Sequence, residues 1–479
     1  MANSYLTKDF TSSPTNAKKF TVSVWFKVEA IGATQPILQN TNTGGNQFAI
    51  DYRSDKKIGI IGYISSAVTS NHETTRLLLD PTSWYHLVIA GDSTLSTSTD
   101  RLKVYINGVR ETSFSSATAI TQNNDYEMNK EMSGTSNGWR IGANATGSNF
   151  FRGNMAHLHN VDGTAYAPTV FGETDSTTGG WKPILTPSVT YGTNGWFLKF
   201  ENAGALGTDS SGNGTTFTVT GNLKQSVSTP SNTFNTLNPN ESYQTNVKTA
   251  IQYAGTGWKD ADTGNDGYKG SVGILAMTSG KWYYEMKYIS PGMYSQFGIS
   301  KAGSLASSKM VNTQYRNPFI SGNNGDGFAF QVGSAAATIL RGDGEDQWTT
   351  GLGGNITMAT DGQICMVAFD LDAGKIWWGI NGTWNTVPGS TTATSSSDIA
   401  SGNNAHKTWT PNGEFFRSGH SEYNRFGNAA EQKLNFGEGR FGTDAVSSGN
   451  ADSAGVGVFE YAPPTNFLAI CTKNIKSTG

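Results

Sequence analysis

The sequence predicts an all-β protein made of two tandem antiparallel β-sandwiches. Three observations lead there: apolar residues recurring at every second position, turn signals between short apolar runs, and a composition poor in charge yet rich in aromatics. Charged residues are 15% of the 479-residue chain, below the roughly 25% of ordinary soluble domains. Against that, 12 Trp, 18 Tyr and 24 Phe supply core side chains of the kind disordered chains lack. Gly 58 outnumbers Pro 14, and long Ser/Thr/Asn stretches separate the apolar runs, as expected where polar loops join short strands. The length exceeds one ordinary domain.

In Phe20-Thr21-Val22-Ser23-Val24-Trp25-Phe26-Lys27-Val28 the even positions are all apolar. Period two means a strand with one buried face. Residues 84–90, introduced by Asp80-Pro81, form a second and more continuously apolar run. Residues 101–106 alternate again and meet Asn107-Gly108, a hairpin signal because both turn positions need positive φ. Residues 139–142, 155–161 and 196–200 supply further strands, and no helical period holds over three turns before residue 240. Residues 226–249 turn polar through Ser226, Ser228, Pro230 and Asn238-Pro239-Asn240 and read as a linker, with Phe234 and Leu237 its only anchors. The domains are therefore expected at 1–225 and 250–479. In the second, Lys281 to Tyr288, residues 296–300 and 327–332, the hairpin 364–380 closed by Asp372-Ala373-Gly374, the turn Asn381-Gly382 and Leu434-Asn435-Phe436 continue the β pattern.

Net charge is −3 and the pI is near 6.1, which gives no electrostatic footprint for nucleic acid or an anionic membrane. Basic runs stop at Lys18-Lys19 and Lys56-Lys57, and no apolar stretch approaches the ~18 residues of a membrane span. Two cysteines make no disulfide framework; Cys365, inside an apolar run, reads as a small core residue. Met1-Ala2-Asn3-Ser4-Tyr5 lacks the features of a secretory signal, so work outside a cell is expected to follow lysis or packaging into a particle.

Several motifs carry a resemblance. The Trp25 strand, Asp80-Pro81-Thr82-Ser83-Trp84-Tyr85-His86, Val104-Tyr105-Ile106-Asn107-Gly108 and a late strand at Gly153 resemble laminin-G/concanavalin-like jelly rolls. Gly280-Lys281-Trp282-Tyr283-Tyr284-Glu285, Val367-Ala368-Phe369-Asp370-Leu371-Asp372 and Leu434-Asn435-Phe436-Gly437 resemble a SPRY-like sandwich. Phe171-Gly172-Glu173-Thr174-Asp175, Trp181-Lys182-Pro183, Leu206-Gly207-Thr208-Asp209-Ser210-Ser211-Gly212-Asn213-Gly214 and Pro463-Pro464-Thr465-Asn466-Phe467 are similar to a narrower group, tail-fibre and structural proteins of marine bacteriophages. That resemblance implies a non-enzymatic protein of the virion surface, a tail fibre or similar appendage. Its implied partners are other virion proteins and a host-surface glycan or receptor, and its implied state is a homo-oligomer, with a trimer favoured. No coiled-coil heptad specifies one. The competing readings are a capsid decoration or head-fibre protein without a receptor role, and a glycan depolymerase.

The chemistry available to these readings is sparse. Laminarinase-type glycosidases place Glu-x-Asp-x-x-Glu along one strand so that alternate carboxylates face the sugar; the nearest match, Glu173-Thr174-Asp175, has Thr178 where the last acid belongs. His157-Leu158-His159 puts two imidazoles on one strand face, a zinc-compatible spacing without a third ligand. Asp209, Ser211 and Asn213 imitate the opening of a calcium loop, but the twelfth position is Thr220 rather than Glu; the alternatives are a structural calcium and a tight turn held by side-chain hydrogen bonds. No cofactor is required. Arg341-Gly342-Asp343 reads as a turn. One member of each pair Tyr283-Tyr284 and Trp377-Trp378 is expected in the core and the other on the surface. The expected glycan contacts are the turn and loop aromatics Trp348, Trp384 and Trp409, since aromatic faces stack on sugars.

Overall fold

The computed structural model describes residues 4–478 except 29–32, 43–44, 132–137, 177–178, 244–248, 261–266, 291–293, 303–318, 320–326, 334–337, 342–361, 388–392 and 425–429. Backbone proximity divides the chain into two compact units, Met1–Gln225 with Thr229–Ser231 and Ser226–Ser228 with Asn232–Gly479. Both are antiparallel β-sandwiches in which strands, not helices, supply the core.

In the first unit the strand Lys19–Val28 lies in a six-stranded sheet between Gly153–Asp162 and Tyr85–Asp92, with Trp196–Leu198 at one edge and Val109–Arg110 at the other. Phe20, Val22, Val24, Phe26 and Val28 all enter the main core, as period two requires. The other face is not open, contrary to the one-sided strand read from the sequence: Thr21, Ser23, Trp25 and Lys27 are buried as well. Residues 163–176 and 179–195 fold back as a strap over this outer face. Its Phe171, Tyr166, Val170, Val189 and Tyr191 pack on Val88, Val161 and Tyr105 of the sheet.

The opposing eight-stranded sheet contains four strands that the sequence reading did not separate: Gln35–Asn42, Asn46–Tyr52, Ile58–Ile64 and Ala67–Thr74. Two of the three turns between them were hidden because non-glycine residues take the left-handed conformation, Lys56 at φ 70°, Ser65 at 50° and Ser66 at 64°. Usual turn signals rely on Gly, Asn or Asp there. The Asn107-Gly108 hairpin, by contrast, closes at φ 50° and 79°, the two positive angles of a type I′ turn.

In the second unit Lys281–Ser290, Ile364–Asp370 and Lys375–Ile380 form the centre of one sheet. Phe416–Asn424 and Tyr294–Lys301 lie in the other. The stretch read as a linker contains the strand Leu237–Tyr243, which joins this second sheet. Phe234 and Leu237 are fully buried, so burial of two apolar anchors overrides the polar composition around them. Ile364–Asp370 is buried at every position because the sheet is covered on both faces. Tyr284, Trp378 and Cys365 enter the core between the sheets. Tyr283 and Trp377 enter a second core with Phe459, Phe467 and Cys471 from the C-terminal segment. Neither member of either aromatic pair is a surface residue.

Candidate functional site

The sequence-derived contacts separate once their positions are known. Trp348 lies outside the described residues. Trp384 is 6% exposed, in the outer core of the second unit, and its Nε1 donates to Ser396 Oγ at 3.1 Å. It cannot present a ring face to a sugar. Trp409 is half-buried, stacked on Phe328 at 4.7 Å between centroids and tilted against Phe416 at 5.5 Å. One ring face is thus spent on the protein's own core. Of Arg341-Gly342-Asp343, Gly342 and Asp343 lie outside the described residues.

Asp209, Ser211 and Asn213 do come together, but as a self-satisfied turn. The two Asp209 oxygens accept from Phe197 N and Ser211 N (Oδ1, 2.8 Å each) and from Ser211 Oγ (2.7 Å) and Thr215 N (2.9 Å) at Oδ2. Ser211 Oγ in turn accepts from Asn213 N, and Asn213 Nδ2 donates to the carbonyls of Gly192 and Gly195. A calcium ion needs six to eight free oxygens, whereas the carboxylate here is already filled by protein donors. The loop does not fit the ion. Among the described residues no three His, Cys, Asp or Glu side chains are grouped to hold a metal.

The glycosidase-like carboxylates belong to the strap. Glu173 and Asp175 sit in and beside a two-stranded hairpin and both pair with Lys182, at 3.4 and 3.2 Å; Thr178 lies outside the described residues. His157 and His159 are split by a bulge, with His157 at φ 46°. Both stack on Phe197, and His159 Nδ1 meets Tyr191 Oη at 2.9 Å. His86 lies between Trp25 (4.5 Å) and Trp181 (6.1 Å). Trp181 Nε1, which can only donate, gives a 2.9 Å bond to His86 Nδ1; the ring is therefore the neutral tautomer that donates from Nε2 to Ser23 Oγ at 2.8 Å. Burial drives the His86 pKa down to about 3, helped by His157, and holds that of His159 well below the usual imidazole range. The strap converts the outer sheet face, with its aromatics, into interior.

Among the described residues, a shallow and largely open polar recess of about 470 Å³ lies between residues 13–17 and 125–131, lined by Ser13, Pro14, Thr15, Asn16, Ala17, Asp125, Lys130 and Glu131. Its walls are fixed from behind. Asp162, 1% exposed, accepts from Thr15 N at 2.6 Å, Asn16 N at 3.3 Å and Asn194 N at 3.1 Å. Asn194 Nδ2 ties Ser12 O to Asn129 O, while Asn160 Nδ2 donates to Asn129 Oδ1. Tyr126 N donates to Ala17 O, joining the two walls, and Asn40 Nδ2 holds the carbonyls of Glu127 and Met128. Buried amides and one buried carboxylate thus preorganise a polar recess, which lowers the ordering cost of binding. The sequence reading missed it. Each wall alone reads as an ordinary polar loop, and only the fold juxtaposes them.

Residues 2–171, which include the whole cleft, match the laminin G family described as the Concanavalin A-like lectin/glucanases superfamily. No curated protein matches the chain. Among solved structures, the SPRY domain of human HERC1 is similar at 11% identity, covering 41% of this chain and 96% of that one, with a TM-score of 0.26. A protein of Bacteroides ovatus titled a putative carbohydrate binding protein is similar at 16% identity, over 47% of this chain and 57% of its own, with a TM-score of 0.32. Domain 4 of the arabinanase AbnA of Geobacillus stearothermophilus, in complex with arabinotriose, is similar at 18% identity over 32% and 64%, with a TM-score of 0.23. Likenesses of this grade say nothing of what the present chain binds.

Proposed function

We propose that the chain is a non-catalytic glycan-recognition protein of a phage virion surface, part of a tail fibre or similar appendage that contacts the host. The observation that carries the glycan reading is the preorganised polar cleft inside the unit that matches a lectin/glucanase superfamily. Carboxylates, hydroxyls, an amide and an ammonium converge there, the groups that hydrogen-bond the hydroxyls of a sugar. A binding rather than a hydrolytic role is supported by Glu173 and Asp175, which are neutralised by Lys182 on the strap instead of facing one another across a substrate channel. The virion setting rests on the motif resemblance, as do partnership with other virion proteins and assembly as a homotrimer. Several copies would convert weak single-site binding into avid attachment.

The test is adsorption of purified protein to host cells, with competition against phage infection and imaging of the particle. Host-specific adsorption that blocks infection is the expected result. A position on the capsid with no adsorption would replace the adhesin by a decoration protein, and release of reducing sugar from host glycan would make it a depolymerase.

A further inference from the structure

The sequence holds seven Asn-Gly steps, two of which, at Asn137 and Asn324, lie outside the described residues. Such a step carries its own chemistry. The glycine has no Cβ to shield its amide nitrogen, and that nitrogen attacks the asparagine Cγ whenever the side chain is free to swing onto it. Four of the five described steps deny this freedom. Asn107 and Asn381 open hairpin turns at φ 50° and 49°, and their Oδ1 atoms accept from His86 N and Ile364 N at 2.8 Å each. Asn194 is 1% exposed, and its Nδ2 donates to Ser12 O and Asn129 O. Asn213 is exposed, yet its Nδ2 donates to the carbonyls of Gly192 and Gly195 at 2.6 and 2.9 Å.

Asn412 differs from all four. Residues 410–413 are exposed and make no hydrogen bond among the described residues. Gly413, at φ 78°, has open space where a Cβ would stand. The chain on either side is fixed, by Trp409 N on Gly374 O at 2.9 Å and by Ala302 N on Phe415 O at 2.7 Å, so the freedom belongs to the loop tip. We propose that Asn412 is a site of spontaneous self-modification, where the side-chain amide is lost and aspartate or isoaspartate forms. The Gly413 nitrogen bonds to Asn412 Cγ as the Cγ–Nδ2 bond breaks. Its proton leaves with the amide group as ammonia, and a succinimide ring remains. Water then opens the ring on one side of that nitrogen. Cleavage at Cγ gives aspartate, whereas cleavage at the main-chain carbonyl carbon gives isoaspartate, with the chain routed through Cγ. One water enters and one ammonia leaves. The loop gains a carboxylate two residues before Glu414, whose Oε1 takes Lys301 Nζ at 2.8 Å, and the net charge moves from −3 to one unit more negative.

The test is ageing of the full-length native protein at mildly alkaline pH, with peptide mapping by mass spectrometry and a parallel sample held in urea. Loss of the amide is read as a mass gain of about 1 Da. The expected result is conversion at Asn412 at least about tenfold faster than at Asn107, Asn194, Asn213 or Asn381, whose side-chain hydrogen bonds must break first. In urea the five steps convert at similar rates, which assigns the selection to the fold. Native conversion quickens as pH rises, because the attacking nitrogen must give up its proton, and a more acidic species grows on ion exchange. Asn412→Gln removes that species and leaves the melting temperature unchanged, since the tip makes no bond that the fold depends on. Native conversion at any of the four tied steps as fast as at Asn412 overturns the proposal. So does an Asn412 that stays intact in the folded protein while the urea sample converts.

Discussion

Asp162 shows how much one buried side chain organises in this protein. It is a carboxylate almost without exposure that collects the N–H groups of Thr15, Asn16 and Asn194, and removing an acceptor from buried donors costs about 1–3 kcal/mol for each group left unpaired. Asp162→Ala should therefore destabilise the first unit by about 3 kcal/mol and loosen the cleft, seen as a lower urea midpoint together with weaker glycan binding. Asp209 makes the same point at the turn read as calcium-like. Because protein donors fill its oxygens, Asp209→Ala is expected to cost about 2 kcal/mol. A chelator should leave the melting temperature unchanged; a chelator-induced drop would reinstate the ion. The turn at Asp209 is legible in its local Asp-Ser-Ser-Gly-Asn-Gly pattern, whereas the partners of Asp162 (Thr15, Asn16 and Asn194) lie far from it in sequence.

The outer faces are where element-scale packing departs most from the strand pattern. In the second unit Glu285 stands on the Lys281–Ser290 strand, fully buried beneath the C-terminal segment. It accepts from Tyr283 Oη, Asn435 Nδ2, Glu460 N and Tyr461 N, so it pins that segment to the sheet. Burial outweighs these four hydrogen bonds and pushes its pKa up to about 7. A carboxyl raised in the folded state stabilises the fold fully below its unfolded value near 4.5, and this contribution is lost as pH rises through about 7. The loss amounts to about 3 kcal/mol. Glu285→Gln should flatten the stability of the second unit between pH 4.5 and 7, read from urea midpoints across that range. An unchanged slope would mean the carboxylate is solvated in solution. In the first unit the strap is held by the bond from Trp181 to His86; Trp181→Phe should keep the stacking and cost about 1 kcal/mol.

Across the whole molecule, all 6 histidines are held below the ordinary imidazole value by burial. A base lowered in the folded state stabilises the fold above its unfolded pKa near 6.5 and loses that contribution as pH falls. For His86 and His420, pushed down to about 3, and for His72 and His406, pushed to about 4, the loss between pH 6.5 and 5 is about 2 kcal/mol each. Asp51, raised to about 6, and Glu285 act in the opposite sense. Four of the histidines, His72, His86, His157 and His159, lie in the first unit and His406 and His420 in the second. Acidification should therefore unfold the first unit at the higher pH, which hydrogen exchange resolved by peptide would show. Each unit also carries its own main core, so a fragment of residues 1–231 should unfold in one cooperative transition; a molten fragment would make the units interdependent.

By itself the sequence determined the secondary-structure class, the two β-sandwich patterns and most central strands, since the alternation at Phe20 to Val28 and the Asn-Gly turn at 107–108 are local consequences of side-chain period and backbone stereochemistry. Only the tertiary structure decided which faces meet solvent. Ser23, Trp25, Tyr283 and Trp377 sit on strand faces that local pattern marks as outward, yet segments far along the chain cover them. The polar loops at 13–17 and 125–131 become one recess because Asp162, Asn129, Asn160 and Asn194 bind their backbones together. Burial and hydrogen-bond partnership are properties of long-range contact, and no window of sequence contains both partners.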